Sequence, residues 1–339
     1  MTWQDPVPFL RGTAWVDEDG RAVRADPAQL ARLPWETAQR AALPIGVRLE
    51  FTASPGTRAV EIRYRAAVPE EGPRELRELA HCFALWEGGT CLHEAFTDPA
   101  EEATVTVPLP GGRGPFTVHP PESQAPAVLG LRAVGGAVSP APPRPRWLVH
   151  GDSITEGWWS TRPAHAWPAV AGRALGLDPV NLGYAGSARG ELATAQQLAA
   201  LPADLVTLAF GTNCWSGVPY SAPLLYETTR AFVALVRRGH PDTPLLLLSP
   251  LLRPEAESTA NALGATLADL RAAMEEAARD LVATGDEHLA LLPGRDLLGP
   301  GHLADGLHPD DAGHARVAAA VAAAVRSEPA LAGRALSRA

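Results

Sequence analysis

The chain has 339 residues, of which 46% are hydrophobic and 20% are charged, and its formal net charge is -9. This length accommodates two domains with a sizeable core, and the negative charge, without a dense run of basic residues, argues against a nucleic-acid partner. All 29 basic residues are arginine, and the absence of lysine excludes Schiff-base chemistry and a P-loop lysine.

The amino terminus lacks the basic and apolar segments of a signal peptide, and no window approaches the roughly 18 apolar residues that a membrane span needs. These features predict a cytoplasmic protein with no membrane partner. The three cysteines, Cys82, Cys91 and Cys214, suit a reducing compartment and are too few for a disulfide framework.

The chain is predicted to begin irregularly and then to enter a β-sheet. Residues 1–45 are expected to be irregular, because tryptophans are scattered there among prolines. Apolar residues then alternate with polar ones over 47–51 and 60–64, on either side of a Ser-Pro-Gly-Thr turn at 54–57. This pattern predicts a hairpin with one buried face.

Further alternating segments follow, separated by Gly and Pro turns, and the first two flank a Gly-Gly pair. They lie at 82–86, 91–96, 104–109 and 116–118. Short strands without a long helix predict an antiparallel β-sandwich.

Four prolines within 139–145 are not expected to continue a sheet, so this segment is predicted to be a stiff linker. The predicted domains are therefore 1–145 and 146–339.

After the linker, apolar segments of strand length alternate with Ala-, Leu- and Arg-rich segments of helical length. Strands are predicted at 146–150, 179–183, 204–210, 244–249 and 288–292. Helices are predicted at 165–176, 188–200, 222–239, 259–284 and 310–326. This alternation predicts an α/β domain with a parallel sheet and helices on both faces.

Ser153 lies on a turn directly after the first strand of this domain. Trp147, Leu148 and Val149 predict that strand, which ends in a turn at Gly151. A serine at the carboxyl end of a parallel strand is well placed to act as a nucleophile, because sites form at that edge of such sheets. A lone Gly-Asp-Ser is more often an ordinary turn, so the interpretation depends on other segments.

Three more segments follow predicted strands, and in a parallel sheet they meet at the same edge. They are 181–186, 211–213 and 305–309. Acyl transfer by a serine needs an imidazole to accept the hydroxyl proton and a carboxylate to hold that imidazole in one tautomer. Asp305 and His308 are three residues apart on one turn, close enough for the carboxylate to accept a hydrogen bond from the ring.

A developing oxyanion needs hydrogen-bond donors at the same edge. The backbone N–H groups of Ser153 and Gly186 are candidates, and the side-chain amide of Asn213 is a third. Asn213 is equally explained as a turn residue after a strand.

In order and spacing, these segments resemble the four sequence blocks of the GDSL, or SGNH, hydrolase family. The blocks are Gly151-Asp152-Ser153-Ile154, Gly186, Gly211-Thr212-Asn213 and Asp305-Gly306-Leu307-His308-Pro309. The resemblance covers residues 146–325 and implies a flavodoxin-like three-layer fold without a metal or cofactor. It also implies a catalytic triad of Ser153, Asp305 and His308, and an oxyanion hole of Ser153, Gly186 and Asn213.

The third block departs from the family pattern, which usually reads Gly-x-Asn-Asp. Here Cys214 follows Asn213. Since the missing carboxylate is not a triad member, activity is expected to survive, with an effect on local geometry and substrate preference. The preceding β-domain makes the chain similar to two-domain carbohydrate acetylesterases, in which a jelly-roll-like module precedes the hydrolase.

Three tryptophans lie near the first and third blocks: Trp158, Trp159 and Trp215. They are predicted to form an aromatic wall that stacks on a sugar or holds an acyl chain. Each is equally explained as a core or rim residue. Residues 253–264 follow the fourth strand and are expected to form a lid, unless Arg253 simply pairs with a nearby glutamate.

Other histidines are rivals of His308 as the base, but most have structural explanations. His150 lies inside a predicted strand and His314 inside a predicted helix. His302 is the strongest rival, yet it has no acidic residue three positions before it. Asp152 is expected to hydrogen-bond within its turn rather than to act in catalysis.

Together these features predict a serine esterase that hydrolyses short acyl esters, in particular acetyl esters of a carbohydrate or small polyol, through an acyl-enzyme. The alternatives are a lipase-like esterase, an acyltransferase of the same fold and a catalytically inactive glycan-binding protein. The expected partner is a small-molecule or glycan ester, with no nucleic acid, membrane, metal or cofactor. The sequence leaves the oligomeric state open.

Overall fold

The structure, a computed structural model, describes residues 2–66 and 82–332. The chain divides into two compact units, each built from several segments. The first is made of Met1–Pro27, Ala41–Pro143 and Thr161–Ala164, and the second of Ala28–Arg40, Arg144–Ser160 and His165–Ala339. The second unit therefore includes a short segment from the amino-terminal part of the chain. The domain limits 1–145 and 146–339 remain a prediction.

The described strands of the first unit are short and antiparallel. They are β1 (Leu10–Arg11), β2 (Trp15–Val16), β3 (Ala22–Val23), β4 (Arg48–Ala53), β5 (Ala59–Arg65), β6 (Cys82–Glu87), β7 (Thr90–Phe96), β8 (Ala103–Pro108), β9 (Phe116–His119), β10 (Ala127–Val134) and β11 (Val138–Pro140). A short helix, α1 (Trp35–Ala41), lies between β3 and β4 in the sequence.

Two antiparallel sheets share one hydrophobic core in the first unit. In the described part of the chain, the larger sheet has six strands, in the order β1-β4-β9-β6-β7 with β11 also paired to β4, and the smaller has the order β10-β5-β8. Alternate side chains of both sheets enter the core, among them Leu49, Phe51 and Phe116 from the larger sheet and Ile62 and Leu131 from the smaller. The predicted antiparallel β-sandwich is confirmed.

Two local predictions in this unit are wrong. Segments 47–51 and 60–64 do not form a hairpin, because β4 pairs with β1, β9 and β11 whereas β5 pairs with β8 and β10. The turn at 54–57 carries the chain from one sheet to the other, since alternation specifies a buried face and not the strand beside it. Part of the proline-rich segment also forms a strand, in which Pro140 pairs with Phe51 at the sheet edge, where a missing N–H is tolerated.

The prediction that residues 1–45 are irregular is also wrong, because this stretch contains β1, β2, β3 and α1. A helix of 7 residues is too short to be stable alone, so it depends on packing that the local sequence does not reveal. By contrast, the two alternating segments that flank the Gly-Gly pair form the strands β6 and β7 of a hairpin. Glu87 pairs with Thr90 across the turn, and Gly88 has a φ of +58°, as short hairpin loops favour.

The second unit alternates strands and helices. Its strands are β12 (Arg146–Gly151), β13 (Asp178–Gly183), β14 (Leu205–Ala209), β15 (Leu245–Leu248) and β16 (Leu289–Leu292). Its later helices are α2 (Ser153–Glu156), α3 (Trp167–Leu175), α4 (Leu192–Ala200), α5 (Ala222–Gly239), α6 (Leu267–Ala283), α7 (Asp311–Ser327) and α8 (Pro329–Ala332).

In the described residues these strands form one sheet in the order β13-β12-β14-β15-β16, and every neighbouring pair is parallel. Numbered within the unit, the order is the flavodoxin-like 2-1-3-4-5. The predicted strands and the flavodoxin-like parallel sheet are confirmed. Such sheets bind ligands where the strand order reverses, which here is the carboxyl end of β12 and β14.

Helices cover both faces of this sheet. On one face, Trp147 of β12 packs edge-on against Trp167 of α3, with ring centroids 5.9 Å apart, in a core shared with Val321 of α7. On the other, His150 of β12 stacks on Phe232 of α5 at 5.3 Å. Because successive strand residues point to opposite faces, one apolar strand supplies both cores.

The helix predicted at 259–284 begins later, at residue 267. Thr266 caps it through a reciprocal capping box with Asp269. Before the cap, the side chain of Asn261 accepts hydrogen bonds from two backbone N–H groups of its own loop, which holds that loop outside the helix.

Candidate active site

The sequence blocks lie together at one edge of the parallel sheet. Gly151, the last residue of β12, is in register with Gly183 at the end of β13 and with Ala209 at the end of β14. Ser153 therefore emerges beside the loops that follow β13 and β14. The predicted meeting of the first three blocks follows from this parallel register.

Glycines at two adjacent strand ends make room for the turn that carries Ser153. A Cβ on Gly151 would lie 2.1 Å from Oγ1 of Thr155, and one on Gly183 would lie 2.4 Å from the backbone nitrogen of Glu156. No side chain fits at either position without moving the backbone. The two glycines thus let α2 pack closely against the strand ends.

Asp152 is the N-cap of α2 and is buried. Its Oδ1 accepts a hydrogen bond of 2.9 Å from the backbone N–H of Ile154, as capping carboxylates do. Burial raises the pKa of Asp152 to about 6, against the opposing effect of its hydrogen bonds. Asp152 thus fixes the helical turn that begins with Ser153.

Ser153, His308 and Asp305 form a continuous hydrogen-bonded series. Oγ of Ser153 lies 2.8 Å from Nε2 of His308, and Nδ1 of the same ring lies 2.7 Å from Oδ2 of Asp305. Because an ionised carboxylate only accepts, the ring hydrogen belongs on Nδ1, which leaves the Nε2 lone pair facing the serine hydroxyl. This geometry suits base-assisted attack by a serine oxygen.

The loop before α7 holds Asp305 and His308 in fixed relative positions. Oδ1 of Asp305 accepts hydrogen bonds from the backbone N–H groups of Leu307, at 3.0 Å, and His308, at 2.8 Å. Partial burial would raise the pKa of Asp305, but these hydrogen bonds and the His308 ring outweigh it and lower the pKa. Asp305 is thereby kept as a carboxylate that can orient the ring.

Gly186 and Asn213, the predicted oxyanion-hole residues, lie on adjoining loops. Gly186 has a φ of +70° in a turn closed by a 3.1 Å hydrogen bond from the Ser187 N–H to the Tyr184 carbonyl, a position that favours glycine. Nδ2 of Asn213 donates to the Ser187 carbonyl at 2.6 Å. The amide therefore ties the second block to the third, and the oxyanion roles of Ser153, Gly186 and Asn213 remain predictions.

Cys214, which replaces the usual acid of the third block, is buried. Its Sγ lies 3.7 Å from the Arg189 carbonyl, and burial together with the negative charge of Glu191 raises its pKa. A carboxylate here would also be buried near Glu191, whereas a neutral thiol avoids that repulsion.

Trp158 and Trp159 both contact the hydrogen-bonded series. Trp158 stacks on the His308 ring, with centroids 5.5 Å apart and planes at 28°. Trp159 has a φ of +64°, and its indole Nε1 donates to Oδ2 of Asp305 at 2.9 Å. Nothing in the sequence pattern signals that contact. The proposed substrate role of both rings stays a prediction.

Trp215 links the third block to the segment predicted to be a lid. Its Nε1 donates to the carbonyl of Thr259 at 2.7 Å, and the Arg253 guanidinium lies 4.6 Å from the ring centroid. Arg253 also lies 3.8 Å from Glu255. The segment 253–264 thus rests against Trp215, and both the lid and the substrate role of Trp215 remain predictions.

The rival histidines have partners elsewhere. His150 and His314 are buried, and burial lowers the pKa of each to about 4. Nε2 of His314 lies 3.0 Å from the Trp158 carbonyl, to which it can donate. Nδ1 of His302 accepts from the Gly299 N–H at 3.1 Å. Each of these rings therefore stabilises local backbone or core structure.

The structure also brings to this site side chains of α1 that no sequence pattern identifies. Arg40 of α1 forms an ion pair with Glu156 at 2.7 Å, and Oγ1 of Thr37 lies 2.5 Å from Oγ of Ser187. The position of Glu156 near the site could be predicted from the sequence, because it lies one helical turn after Ser153. The positions of Arg40 and Thr37 could not, because they are more than a hundred residues away.

Among the described residues, no group of three or more His, Cys, Asp or Glu side chains is arranged to hold a metal ion. Within the same residues, none of the helices combines the length and apolar character required to cross a bilayer.

A single family model spans all four sequence blocks. Residues 149–316 match the profile of the GDSL-like Lipase/Acylhydrolase family. No curated protein sequence is significantly similar to the chain.

Several solved structures share the fold over most of the chain. The salicylyl-acyltransferase SsfX3 from a tetracycline biosynthetic pathway has a TM-score of 0.80 and 24% identity, over 96% of this chain and 95% of its own. A GDSL-like lipase from Bacteroides ovatus has a TM-score of 0.77 and 20% identity, over 96% and 97%. A family two carbohydrate esterase from Clostridium thermocellum, solved in complex with cellohexaose, has a TM-score of 0.63 and 16% identity, over 83% and 91%. At these identities the similarity concerns the fold alone.

Proposed function

We propose that the protein is a serine esterase for short acyl esters, within the GDSL-like lipase/acylhydrolase family that residues 149–316 match. The favoured substrate is an acetyl ester of a carbohydrate or small polyol. The observation that carries the proposal is the hydrogen-bonded series of Ser153, His308 and Asp305.

In acylation, Oγ of Ser153 attacks the ester carbonyl carbon while its proton passes to Nε2 of His308. Asp305 accepts the Nδ1 hydrogen bond and favours the imidazolium that forms. The N–H groups of Ser153 and Gly186 and the amide of Asn213 stabilise the oxyanion. When the ester C–O bond breaks, His308 returns the proton to the departing alcohol oxygen, which leaves an acyl group on Ser153.

In deacylation, a water molecule takes the place of the alcohol. His308 accepts a proton from the water, whose oxygen attacks the acyl carbon. The tetrahedral intermediate collapses with release of the carboxylic acid, and the proton returns to Oγ of Ser153. Splitting the reaction into two steps allows one histidine to serve each in turn.

Two observations support a carbohydrate or polyol as the alcohol part. Trp158 and Trp159 contact the proposed triad, and Trp215 lies in the loop of the third block. The three rings supply aromatic surface of the kind that packs against sugar rings. The chain also shares its fold with a carbohydrate esterase whose structure contains cellohexaose. The preference for acetyl over longer acyl groups belongs to the same proposal.

The test is hydrolysis of p-nitrophenyl esters from acetate to decanoate by the purified protein and by Ser153→Ala. The matched control is Ser327→Ala, which removes an exposed serine at the end of α7. We expect a steep preference for acetate, loss of essentially all turnover in Ser153→Ala and wild-type rates in Ser327→Ala. Release of acetate from peracetylated mono- and oligosaccharides then measures the preference for the alcohol.

Activity that extends to decanoate would replace the acetylesterase proposal with a lipase-like esterase. Wild-type rates in Ser153→Ala would overturn the mechanism. If the protein hydrolyses none of the esters and a fluorophosphonate fails to label Ser153, the esterase proposal is overturned in favour of a catalytically inactive glycan-binding protein.

The second candidate is acyl transfer to a hydroxyl acceptor, and the similarity to an acyltransferase across nearly the whole chain favours testing it. The same acyl-enzyme would form, and an alcohol would replace water in the second step. Hydrolysis is repeated with alcohols and polyols present, and products are separated by mass spectrometry. New esters formed at the expense of free acid would favour the transferase.

A further inference from the structure

Glu156 is a buried carboxylate at the centre of several contacts around the proposed site. Its side chain is 2% exposed, and it accepts two hydrogen bonds through Oε1 from the Arg40 guanidinium, at 3.1 and 2.7 Å. Oε2 accepts from the backbone N–H of Ala185 at 2.8 Å and from Nε1 of Trp158 at 3.3 Å. One carboxylate therefore connects Arg40, the turn of the second block and the ring stacked on His308.

Ala185 precedes Gly186 in the turn from Tyr184 to Ser187. The direction of the Gly186 N–H is set by the peptide plane between Ala185 and Gly186, and the positive φ of Gly186 fits a type II turn, in which that plane is flipped relative to type I. The hydrogen bond from the Ala185 N–H to Glu156 holds one end of this turn.

Ser187 holds the other end of the turn. Its Oγ lies 2.5 Å from Oγ1 of Thr37 and donates to Glu191 at 3.1 Å, and its carbonyl accepts from Asn213. Thr37 and Arg40 are three residues apart on α1, so they lie on one face of that helix. The same face of α1 therefore reaches both ends of the turn that carries Gly186.

We propose that Arg40 and Thr37 are positioning residues: acting through Glu156 and Ser187, they hold the turn so that the Gly186 N–H points at the developing oxyanion. This inference rests on the esterase function proposed above. Arg40 supplies the charge that a buried carboxylate needs, since removal of one partner of a buried pair leaves the other uncompensated. Without it, Glu156 no longer fixes the Ala185 N–H, and the donor beside it is displaced.

The test is a comparison of Arg40→Met with Arg32→Met in p-nitrophenyl acetate hydrolysis. Arg32 lies in the same amino-terminal segment but bonds to Gln29 and Gln196, so it is the matched control. A small displacement of a catalytic group can cost about 100-fold in rate. We expect kcat to fall about 10- to 100-fold in Arg40→Met with KM changed less than threefold, partial recovery in Arg40→Lys, and wild-type constants in Arg32→Met.

A second readout reports the oxyanion site itself. A boronic acid bonds to the serine oxygen and places a tetrahedral anion where the oxyanion forms, so its inhibition constant should rise by about the factor by which kcat/KM falls. A purely structural role of Arg40 would lower the melting temperature and leave kcat/KM and the boronate inhibition constant unchanged at a temperature where the variant is folded.

Thr37→Val, which removes only the hydroxyl next to Ser187, is measured in parallel and tests the positioning inference if Arg40→Met does not fold. We expect its kcat to fall about 3- to 10-fold with KM unchanged.

Wild-type kcat and wild-type boronate inhibition in the folded variants would overturn the positioning inference and leave the esterase proposal intact. A rise in KM with unchanged kcat would have the same consequence. Absence of esterase activity and of fluorophosphonate labelling in the wild-type protein would overturn both.

Discussion

The indole nitrogen of Trp159 lies 2.9 Å from Oδ2 of Asp305, the same oxygen that lies 2.7 Å from Nδ1 of His308. The carboxylate therefore receives two donors on one oxygen, while its other oxygen accepts two backbone N–H groups. Four hydrogen bonds fix the orientation of Asp305 and, through it, of the His308 ring.

Trp159→Phe tests whether this tryptophan acts through Asp305 or through the substrate. It removes the indole N–H and keeps an aromatic ring. If Trp159 orients Asp305, we expect kcat for p-nitrophenyl acetate to fall about 3- to 10-fold with little change in KM, since one charge-assisted hydrogen bond is lost. A rise in KM with unchanged kcat would instead favour the aromatic wall. Trp35→Phe, at an exposed tryptophan of α1, is the control.

Asn213→Ala tests the predicted oxyanion contribution of the third block. Loss of one oxyanion donor typically lowers kcat about 10²- to 10³-fold, and we expect a loss in that range with KM nearly unchanged. The kinetic constants are measured beside the melting temperature, because Asn213 also bonds the Ser187 carbonyl. A folded variant with wild-type kcat would reduce Asn213 to a turn residue that links two loops.

Asp152→Asn and Asp152→Ala separate the capping role of Asp152 from its charge. Asparagine keeps a capping oxygen for the Ile154 N–H, whereas alanine loses it, so we expect Asp152→Ala to be less stable than Asp152→Asn by about 1 kcal/mol. The folded pKa of about 6 lies above the ordinary 3.8, so the folded wild type binds the proton more tightly. Its stability advantage over Asp152→Asn should therefore fall as pH rises from about 4 to about 6 and stay constant above. A difference that is flat with pH in urea titrations would contradict the raised pKa.

His314→Gln tests the opposite pH dependence. The folded pKa of His314 is about 4 and the ordinary value is 6.5, so the unfolded chain binds the proton more tightly. The stability contribution is complete above pH 6.5 and is lost as pH falls towards 4, by up to about 1.4 kcal/mol per pH unit. His150 changes the stability with pH in the same direction as His314, and Asp152 changes it in the opposite direction. The informative quantity is therefore the free energy of unfolding of the wild type minus that of His314→Gln. An advantage over His314→Gln that does not grow between pH 4.5 and 6.5 would refute the prediction.

Local sequence patterns predicted the second unit well because each of its elements buries a face that repeats along the chain. The five strands of its sheet are short apolar runs, as buried parallel strands are, and the helices between them carry apolar faces at helical spacing. Gly151 and Gly183 are also informative in the sequence, because glycine is required where another segment of the chain approaches too closely for a side chain. Once the strands are parallel, Ser153 and the loop of Gly186 necessarily lie at one edge.

Local patterns are enough to predict the sandwich, the parallel sheet and short motif pairs such as Asp305 and His308, whose members lie within one turn of each other. The folded chain adds that β4 and β5 belong to different sheets, that Trp159 donates to Asp305 and that Arg40 pairs with Glu156. These contacts could not be predicted because periodicity specifies which side of an element is buried but not which distant element covers it. A contact between residues more than a hundred positions apart depends on the packing of the whole unit and leaves no local pattern in the sequence.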